Sequence, residues 1–508
     1  MNRVVVASCT PRTHEPLFQE TLKEAGLNPY LFEMANIRDQ CTWVHAKLGA
    51  VTEEKSIDLL RMAVARARTI EPLTTKTYVP KRSALIVGGG LAGMTAALSI
   101  ANQGFEVHLV EKSDKLGGNL INVKTTAEGL NPLELLKKLQ QQVTDSKNIT
   151  VYRNSTVDEC KGFVGNFKSK ITCNDSPQPG TIEIEHGIAI IAIGARESKP
   201  DEYLYGRNEK VLTQLELEKL IESDSEFVKS LNEVVMIQCV GSREPENMIC
   251  SRVCCTEAVK NAIAIKRANP EATVAVLFRD IRTYGFKEDY YNEARKLGVL
   301  FFRYDLDGKP LVVEDSSGQL EVGVQDLNSG LELSFSPDAL VLSAAMVPSE
   351  TNKQVGTAFK VPVTSEGFFL EAHMKLRPVD FASEGLFLCG TCHSPKFIDE
   401  SIAQAQAASA RAMAVLSREL MEISGIVSVV DPDKCAACLT CVRTCPYNVP
   451  KMNAEGVAEI ETAICHGCGI CASECPAKAI QLMHYKDSQL IAKTKALLDE
   501  SSELIKNE

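Results

Sequence analysis

Residues 83–119 limit what this chain can fold into more than any other stretch. Ser83-Ala-Leu-Ile-Val is an apolar run of strand length, and Gly88, Gly90 and Gly93 follow it in G-x-G-x-x-G spacing. The first glycine permits a tight turn, the second lets the backbone approach a pyrophosphate, and the third lets a helix pack closely on the strand. Leu91 and Ala92 then open a helix whose N-terminal N–H groups and partial positive charge face phosphate. A second strand, Glu106-Val-His-Leu-Val, ends at Glu111. That carboxylate stands about 20 residues past the glycines, where a ribose hydroxyl is usually bound. A lone glycine motif is an ordinary turn. The order strand, turn, helix, strand and acid makes this one a dinucleotide-binding unit.

The 508 residues suffice for about three domains. An apolar fraction of 44% suits a globular core, and a net charge of −11 argues against nucleic acid as a partner. No apolar run approaches the roughly 20 residues that span a bilayer. Met-Asn-Arg-Val-Val-Val-Ala-Ser-Cys reads as a strand start and not as a signal peptide, so a cytoplasmic location is expected. The 18 cysteines of such a chain point to metal or redox chemistry. Twelve fall in three groups, at 239–255, 435–445 and 465–475, while Cys9, Cys41, Cys160, Cys173, Cys389 and Cys392 are scattered.

Cys435-Ala-Ala-Cys-Leu-Thr-Cys-Val-Arg-Thr-Cys-Pro is C-x2-C-x2-C-x3-C-P, and it returns 30 residues later as Cys465-His-Gly-Cys-Gly-Ile-Cys-Ala-Ser-Glu-Cys-Pro. This is the two-cluster ferredoxin pattern, in which the fourth cysteine of each run serves the other cluster. One [4Fe–4S] cluster is therefore expected on Cys435, Cys438, Cys441 and Cys475, the other on Cys465, Cys468, Cys471 and Cys445. Thiolate sulfur is soft and suits iron–sulfur chemistry; the doubled spacing disfavours zinc. Residues 428–485 form this ferredoxin domain, and 486–508 read as a charged helical tail, a solvated face or docking segment.

Lys112-Ser-Asp-Lys-Leu-Gly-Gly-Asn resembles the E-K-x-x-x-x-G-G segment of two-dinucleotide-domain flavoproteins such as thioredoxin reductase. The resemblance implies FAD in the first site, with Lys112, Gly117, Gly118 and Asn119 beside it. Gly187-Ile-Ala-Ile-Ile-Ala-Ile-Gly-Ala, with its glycine at Gly194, resembles the strand that closes the first half of that fold. Gly385-Leu-Phe-Leu-Cys-Gly-Thr-Cys-His-Ser-Pro-Lys resembles the segment that meets the flavin ribityl chain at Gly390, although Thr391 stands where an acid is usual. A helix over Ile398–Leu416 would aim its N-terminus at the isoalloxazine. Lys396, just before it, would stabilise reduced flavin as a nearby cation, the alternative being a solvated surface lysine.

The second nucleotide-binding-like domain starts with Val234-Val-Met-Ile-Gln-Cys-Val-Gly and lacks the glycine loop; only Gly241 remains. No nicotinamide site is expected there. Cys239, Cys250, Cys254 and Cys255 stand in its place, and they do not form a C-x-x-C pair. Four thiolates converging from a loop and a helix start could hold a [4Fe–4S] cluster or zinc, and adjacent ligands are unusual for structural zinc.

The expected architecture is α/β, a thioredoxin-reductase-like flavoprotein with a partial N-terminal α/β domain and a C-terminal α+β ferredoxin domain. The divisions are 1–70, a linker at 71–82, an FAD-binding domain at 83–200 that resumes at 356–420, and the second domain at 201–355. In the N-terminal part a strand is expected at Val4-Val-Val-Ala and helices from His14 to Ala25 and from Ser56 to Arg68. Short runs at Thr150, Lys170 and Thr181 suit a small antiparallel layer.

Four segments carry a wider resemblance: Val4-Val-Val-Ala-Ser-Cys-Thr-Pro-Arg-Thr-His-Glu-Pro-Leu-Phe, Asn28-Pro-Tyr-Leu-Phe-Glu-Met-Ala-Asn-Ile-Arg-Asp-Gln-Cys, Gln238-Cys-Val-Gly-Ser-Arg through Cys250-Ser-Arg-Val-Cys-Cys-Thr-Glu-Ala-Val-Lys, and His393-Ser-Pro-Lys-Phe-Ile-Asp-Glu-Ser-Ile-Ala-Gln-Ala. With the ferredoxin repeat, they make the chain similar to the HdrA family, the iron-sulfur flavoproteins of heterodisulfide reductase. The resemblance implies an oxidoreductase component with FAD and a [4Fe–4S] cluster on Cys239, Cys250, Cys254 and Cys255. It implies flavin-based electron bifurcation or confurcation between a donor, ferredoxin and a disulfide-type acceptor. The implied partners are heterodisulfide reductase B- and C-like subunits, a hydrogenase or formate dehydrogenase module, ferredoxin, or a second copy in a homodimer. The family's N-terminal domain begins earlier and binds its own cluster. Cys9 and Cys41 match two of those ligands, so that site is either lost or completed by another chain. The family's extra ferredoxin insert in the flavin half has no cysteine pattern here. The rival is an NAD(P)H-linked flavoprotein reductase similar to the small subunit of glutamate synthase, against which the missing second glycine loop argues.

Overall fold

The computed structural model describes residues 2–174 and 179–498. Its contacts group into two units, 80–419 and 1–79 with 420–508.

In the first unit, Ser83–Val87 is buried at every position and forms the centre of a parallel five-stranded sheet. The order is Leu386–Leu388, Ile188–Ile191, Ser83–Val87, Glu106–Val110, Ile149–Tyr152. Apolar strands of this kind must be covered on both faces. Helices Leu91–Ala101, Pro132–Asp145 and Ile398–Leu416 cover one face. The antiparallel strands Ser155–Phe163, Asn166–Cys173 and Gly180–His186, with helix Asn352–Phe359, cover the other.

The same plan recurs in the second half. A parallel sheet runs Val211–Thr213, Ala339–Ala344, Glu233–Val240, Thr273–Phe278, Leu300–Arg303. Helices Gln214–Ser223, Cys254–Ala268 and Glu288–Lys296 lie on one side, and strands Leu311–Glu314, Leu320–Gln325 and Glu332–Phe335 on the other. An antiparallel pair, Ala195–Glu197 with Met346–Pro348, joins the halves. The strand order reverses beside Ser83–Val87 in one sheet and beside Glu233–Val240 in the other, and ligands of open α/β sheets bind at the carboxyl ends of strands at that point.

One expectation needs correction here. The Thr150 run lies in Ile149–Tyr152, at the edge of the parallel sheet and outside the antiparallel layer. Helix Pro132–Asp145 is the crossover that makes it parallel.

In the second unit, Val4–Ser8 pairs in parallel with Phe32–Asn36. Helix Pro11–Glu24 starts where Thr10 accepts from the Arg12 N–H and Pro11 fixes the first turn. Helix Ala50–Ala67 follows. The stretch 71–82, read as a linker, contains strand Lys76–Tyr78, which pairs with Met421–Ile423. The tail read as a solvated face or docking segment is helical over Asp487–Leu498, exposed along most of its length with Gln489 buried; residues 499–508 lie outside the described residues. Gln489 Nε2 of that helix donates to Thr69 O at 3.3 Å. Lys493 Nζ reaches Glu33 at 3.3 Å, and Lys486 Nζ reaches Glu71 at 2.7 Å. Glu33 is buried and also pairs with the buried Arg66, whose guanidinium lies 4.4 Å from the Tyr485 ring centroid.

Glu33→Ala would leave Arg66 and Lys493 without their shared carboxylate in a buried site. The expected cost is about 3–5 kcal/mol in urea unfolding, with faster amide exchange across helix Asp487–Leu498. Unchanged unfolding and exchange would show that the pair does not hold the tail.

Candidate functional site

The glycine loop is built by close backbone approaches. Gly88 has φ +108°, and a Cβ there would strike the Ala192 carbonyl oxygen. A Cβ on Gly93 would collide with the Gly88 carbonyl oxygen, so the helix can start beside the strand only without one. Helix Leu91–Ala101 starts at Gly90 as expected, with Leu91 and Ala92 in its first turn. Gly90 bridges to Gly117, and a Cβ on Gly118 would lie 3.1 Å from the Gly90 Cα. Two bare backbones therefore lie against each other here.

Glu111, buried at the end of its strand, first pins this loop. Its Oε2 accepts from Gly89 N at 2.6 Å, and its Oε1 accepts from Ser113 N at 2.8 Å and Ser113 Oγ at 2.7 Å. A carboxylate has about four lone-pair sites, so a ribose hydroxyl can still be met. Lys112 is exposed. Asn119 Nδ2 donates to Ala195 O at 2.7 Å, and Ala195 N donates to Thr391 Oγ1 at 3.0 Å. Thr391, which replaces the usual acid, thus ties the segment at Gly194 to the segment at Gly390. Gly390 has φ +80°, a Cβ there would come 2.7 Å from the Ala92 Cβ, and its N–H donates to Gln404 Oε1 at 2.9 Å. Bare backbone at Gly90, Gly117, Gly118 and Gly390 thus comes together near the N-terminus of helix Leu91–Ala101, an arrangement that suits a pyrophosphate.

Lys396 is not a solvated lysine. It is 9% exposed, and its Nζ donates to Gly390 O at 3.1 Å, Ser394 O at 2.9 Å and Ser394 Oγ at 3.0 Å. Burial pulls its pKa down to about 8, against the neighbouring Cys392 and with help from the Arg252 charge.

At the reversal point of the second sheet, cysteines stand where the first sheet has its glycine loop. Cys239, with φ +63°, lies near the end of strand Glu233–Val240, and Cys254 and Cys255 open helix Cys254–Ala268. The loop carrying Cys250 is held by its neighbours. Arg252, at φ +60°, donates to Pro395 O at 2.9 Å, to Glu400 Oε1 at 2.7 Å and to the Tyr284 hydroxyl. Ser251 Oγ accepts from Met346 N at 2.9 Å. The hydrogen bond with Cys255, burial, and then Cys255, Cys239 and Cys250 push the Cys254 thiol well up. The same hydrogen bond pulls Cys255 down to about 7, helped by Arg282 and Arg243 against burial.

Among the described residues, the Gln238 amide and the Thr256 hydroxyl, next to Cys239 and Cys255 in the chain, are buried without hydrogen-bond partners, which is costly for polar groups. Among the described residues, no three or more His, Cys, Asp or Glu side chains are gathered for a single metal ion.

The C-terminal cysteines line two cavities. One cavity is lined by Cys445, Cys465, Cys468 and Cys471, and another by Cys435, Cys438, Cys441 and Cys475. Backbone N–H groups aim at sulfur in matched positions. Ser428 N donates to Cys465 at 3.4 Å and Val449 N to Cys445 at 3.5 Å; Ala458 N donates to Cys435 at 3.5 Å and Ala479 N to Cys475 at 3.3 Å. Cys9 and Cys41 have other partners. Cys9 Sγ accepts from Arg38 at 2.8 Å, and the buried Cys41 donates to Thr52 O at 3.1 Å. Arg252, Thr391 and Gln404 acquire their roles only in the fold. Arg252 sits between two candidate ligands, a usable signal, but its partners lie far along the chain.

Residues 86–135 match the family model for an NAD(P)-binding Rossmann-like domain, and residues 427–450 and 458–481 match 4Fe-4S binding domain models. The chain is 36% identical to the second of the iron-sulfur A subunits of CoB--CoM heterodisulfide reductase in Methanopyrus kandleri, over 88% of this chain and 81% of that protein. It is 33% identical to the A subunit of H(2):CoB-CoM heterodisulfide,ferredoxin reductase of Methanothermobacter thermautotrophicus, over 99% of this chain and 89% of that one. The thioredoxin reductase of Lactococcus lactis aligns with a TM-score of 0.47 at 18% identity, over 66% of this chain and 99% of that one. Among the described residues, no helix is long and apolar enough to cross a membrane.

Two measurements check this geometry. Gly93→Ala should cost about 1–3 kcal/mol in urea unfolding, because a backbone carbonyl must move. Lys396 keeps its proton to about 10.5 when unfolded and only to about 8 when folded. The unfolded chain then binds more protons between those values, so stability rises with pH across that window. Lys396→Met should lack that rise in urea midpoints; an identical rise would place the titration elsewhere.

Proposed function

This chain belongs to the HdrA family of heterodisulfide reductase, and from that premise we propose that it is the flavin and iron–sulfur electron-transfer component of a heterodisulfide-reductase-like complex. It is an oxidoreductase. FAD, when bound, exchanges electrons in pairs, whereas [4Fe–4S] clusters pass them singly.

The residues divide the work. Gly88, Gly90 and Gly93 admit the pyrophosphate, Glu111 holds the loop and meets the ribose, and Gly117, Gly118 and Gly390 keep side chains out of the crevice. Lys396 offers a buried cation beside Gly390. Cys239, Cys250, Cys254 and Cys255 hold a third cluster. The two ferredoxin-type sets hold the other two.

A single observation carries this reading. The second sheet has cysteines at the point where an NAD(P)H reductase needs its glycine loop. Electrons therefore come through partners and not from a diffusing nicotinamide. Following the names of its relatives, we assign ferredoxin and a disulfide of the CoB–CoM type as partners; the bifurcating reaction, with a hydrogenase or formate dehydrogenase module as donor, rests on the resemblance of the sequence to the family. B- and C-like subunits complete the assembly. Cys9 and Cys41 join a further cluster only where another chain supplies the remaining ligands.

Anaerobically purified protein should contain FAD, iron and sulfide, and NADH or NADPH should not bleach its flavin. Cys254→Ser should remove about a third of the iron, one cluster of three, and leave the flavin bound. Zinc in place of iron defeats the cluster assignment, and rapid bleaching by NADPH favours the reductase alternative.

A further inference from the structure

His393 lies in the segment that joins Gly390 to helix Ile398–Leu416, and no role has yet been found for it. The segment folds back on Gly390. His393 N donates to Gly390 O at 3.2 Å, and Lys396 Nζ donates to the same oxygen at 3.1 Å. On the other side of the residue, Gly390 N donates to Gln404 Oε1 at 2.9 Å. A glycine at φ +80° has many other conformations open to it, so its turn depends on such bonds.

One backbone N–H fixes a whole chain of hydrogen bonds here. It can only donate, so the Gln404 amide must turn its oxygen to Gly390. The amide nitrogen also only donates, and it faces His393 Nδ1 at 2.9 Å. Nδ1 must therefore accept, and it carries no proton. A histidine tautomer is assigned from its partners, and in this case the assignment starts from the main chain. The proton of the neutral ring then sits on Nε2, 3.8 Å from Glu371 Oε1. Glu371 is held in turn, its Oε2 accepting from Val379 N at 3.0 Å. Among the described residues, the charged groups that act on His393 are Lys396 and Glu371. Burial and then the Lys396 charge push the His393 pKa below its usual value, against Glu371.

An imidazolium carries a proton on both nitrogens, so its Nδ1–H would point at the Gln404 N–H. Either the ring swings away or the amide turns over. A swung ring leaves Gln404 with one bond in place of two. A turned amide sets its own N–H against the Gly390 N–H. On the reading that Gly390 borders FAD, we propose that His393 is a positioning residue for the flavin. With Nδ1 bare it fixes Gln404, and Gln404 fixes the Gly390 turn in the form that receives the flavin. With Nδ1 protonated the turn loses that support, and FAD is held less tightly. Lys396 keeps its proton up to about 8, so the two titrations fall in separate windows, that of His393 lying below its usual 6.5.

The test is the affinity of the full chain for FAD, followed by flavin fluorescence from about pH 7.5 down to about pH 5, where a histidine gains its proton. Wild-type affinity should fall about tenfold over that range, the worth of one buried hydrogen bond. His393→Asn places an amide oxygen near the position of Nδ1 and does not titrate. It should bind FAD as wild type does at about pH 7.5 and lack the fall. An equal fall in both proteins, or none in wild type, overturns the inference. NMR of isotope-labelled histidine side chains reads the proton directly at about pH 7.5. The signal missing from His393→Asn should show a bare Nδ1 and a protonated Nε2 in wild type. Gln404→Glu, whose carboxylate accepts from both Gly390 N and an Nδ1–H, should show both nitrogens protonated. A proton on Nδ1 of the wild-type ring at that pH overturns the inference. A chain that shows the expected spectrum and binds no FAD at any pH overturns the flavin reading instead, so the two failures are told apart.

Discussion

A parallel sheet offers a ligand its strand carboxyl ends only where successive crossovers leave in opposite directions. This chain builds that opening twice, once beside Ser83–Val87 and once beside Glu233–Val240. What differs is the residue placed at each opening. In the first, Gly93 must lack a Cβ for its helix to clear the Gly88 carbonyl, and the cleared space faces the helix N-terminus. In the second, sulfur occupies the equivalent position. The helix that begins at Cys254 still presents its N-terminal dipole there, as the helix that begins at Leu91 does beside the glycine loop.

Arg252 joins these two openings within their unit. It leaves the cysteine loop, bonds the Pro395 carbonyl beside Lys396, and pairs with Glu400 in the first turn of the helix that follows. Its charge also acts against protonation of Lys396.

What could be read from the sequence follows from where each signal resides. The glycine loop, the doubled cysteine runs and helix Ile398–Leu416 are written in consecutive residues, and each lies where its local pattern placed it. The short strand Lys76–Tyr78 exists only because Met421–Ile423 lies beside it, so no local pattern could reveal it. Lys396 has the composition of a surface residue, and only the fold shows it enclosed by Gly390 and Ser394. Thr391 is instructive because the absent acid is visible in the sequence, whereas the hydroxyl's bond to Ala195 arises only once the chain has folded back.

The tail helix makes the same point in energetic terms. Its charged residues suggest a solvated face, but Lys493 shares Glu33 with Arg66, and Glu33 and Arg66 are both buried. Each charge withdrawn from water is costly alone and tolerable only with its partners present. The arrangement therefore resists removal of any one member. It also fixes where the end of the helix must lie, because Glu33 holds Lys493 in place. The ferredoxin-type runs lie between the strand at Met421–Ile423 and this helix, so the segment carrying their cysteines is anchored at both ends to the N-terminal strands and helices. That segment carries the Ser428 and Ala458 N–H groups that meet the sulfurs of Cys465 and Cys435.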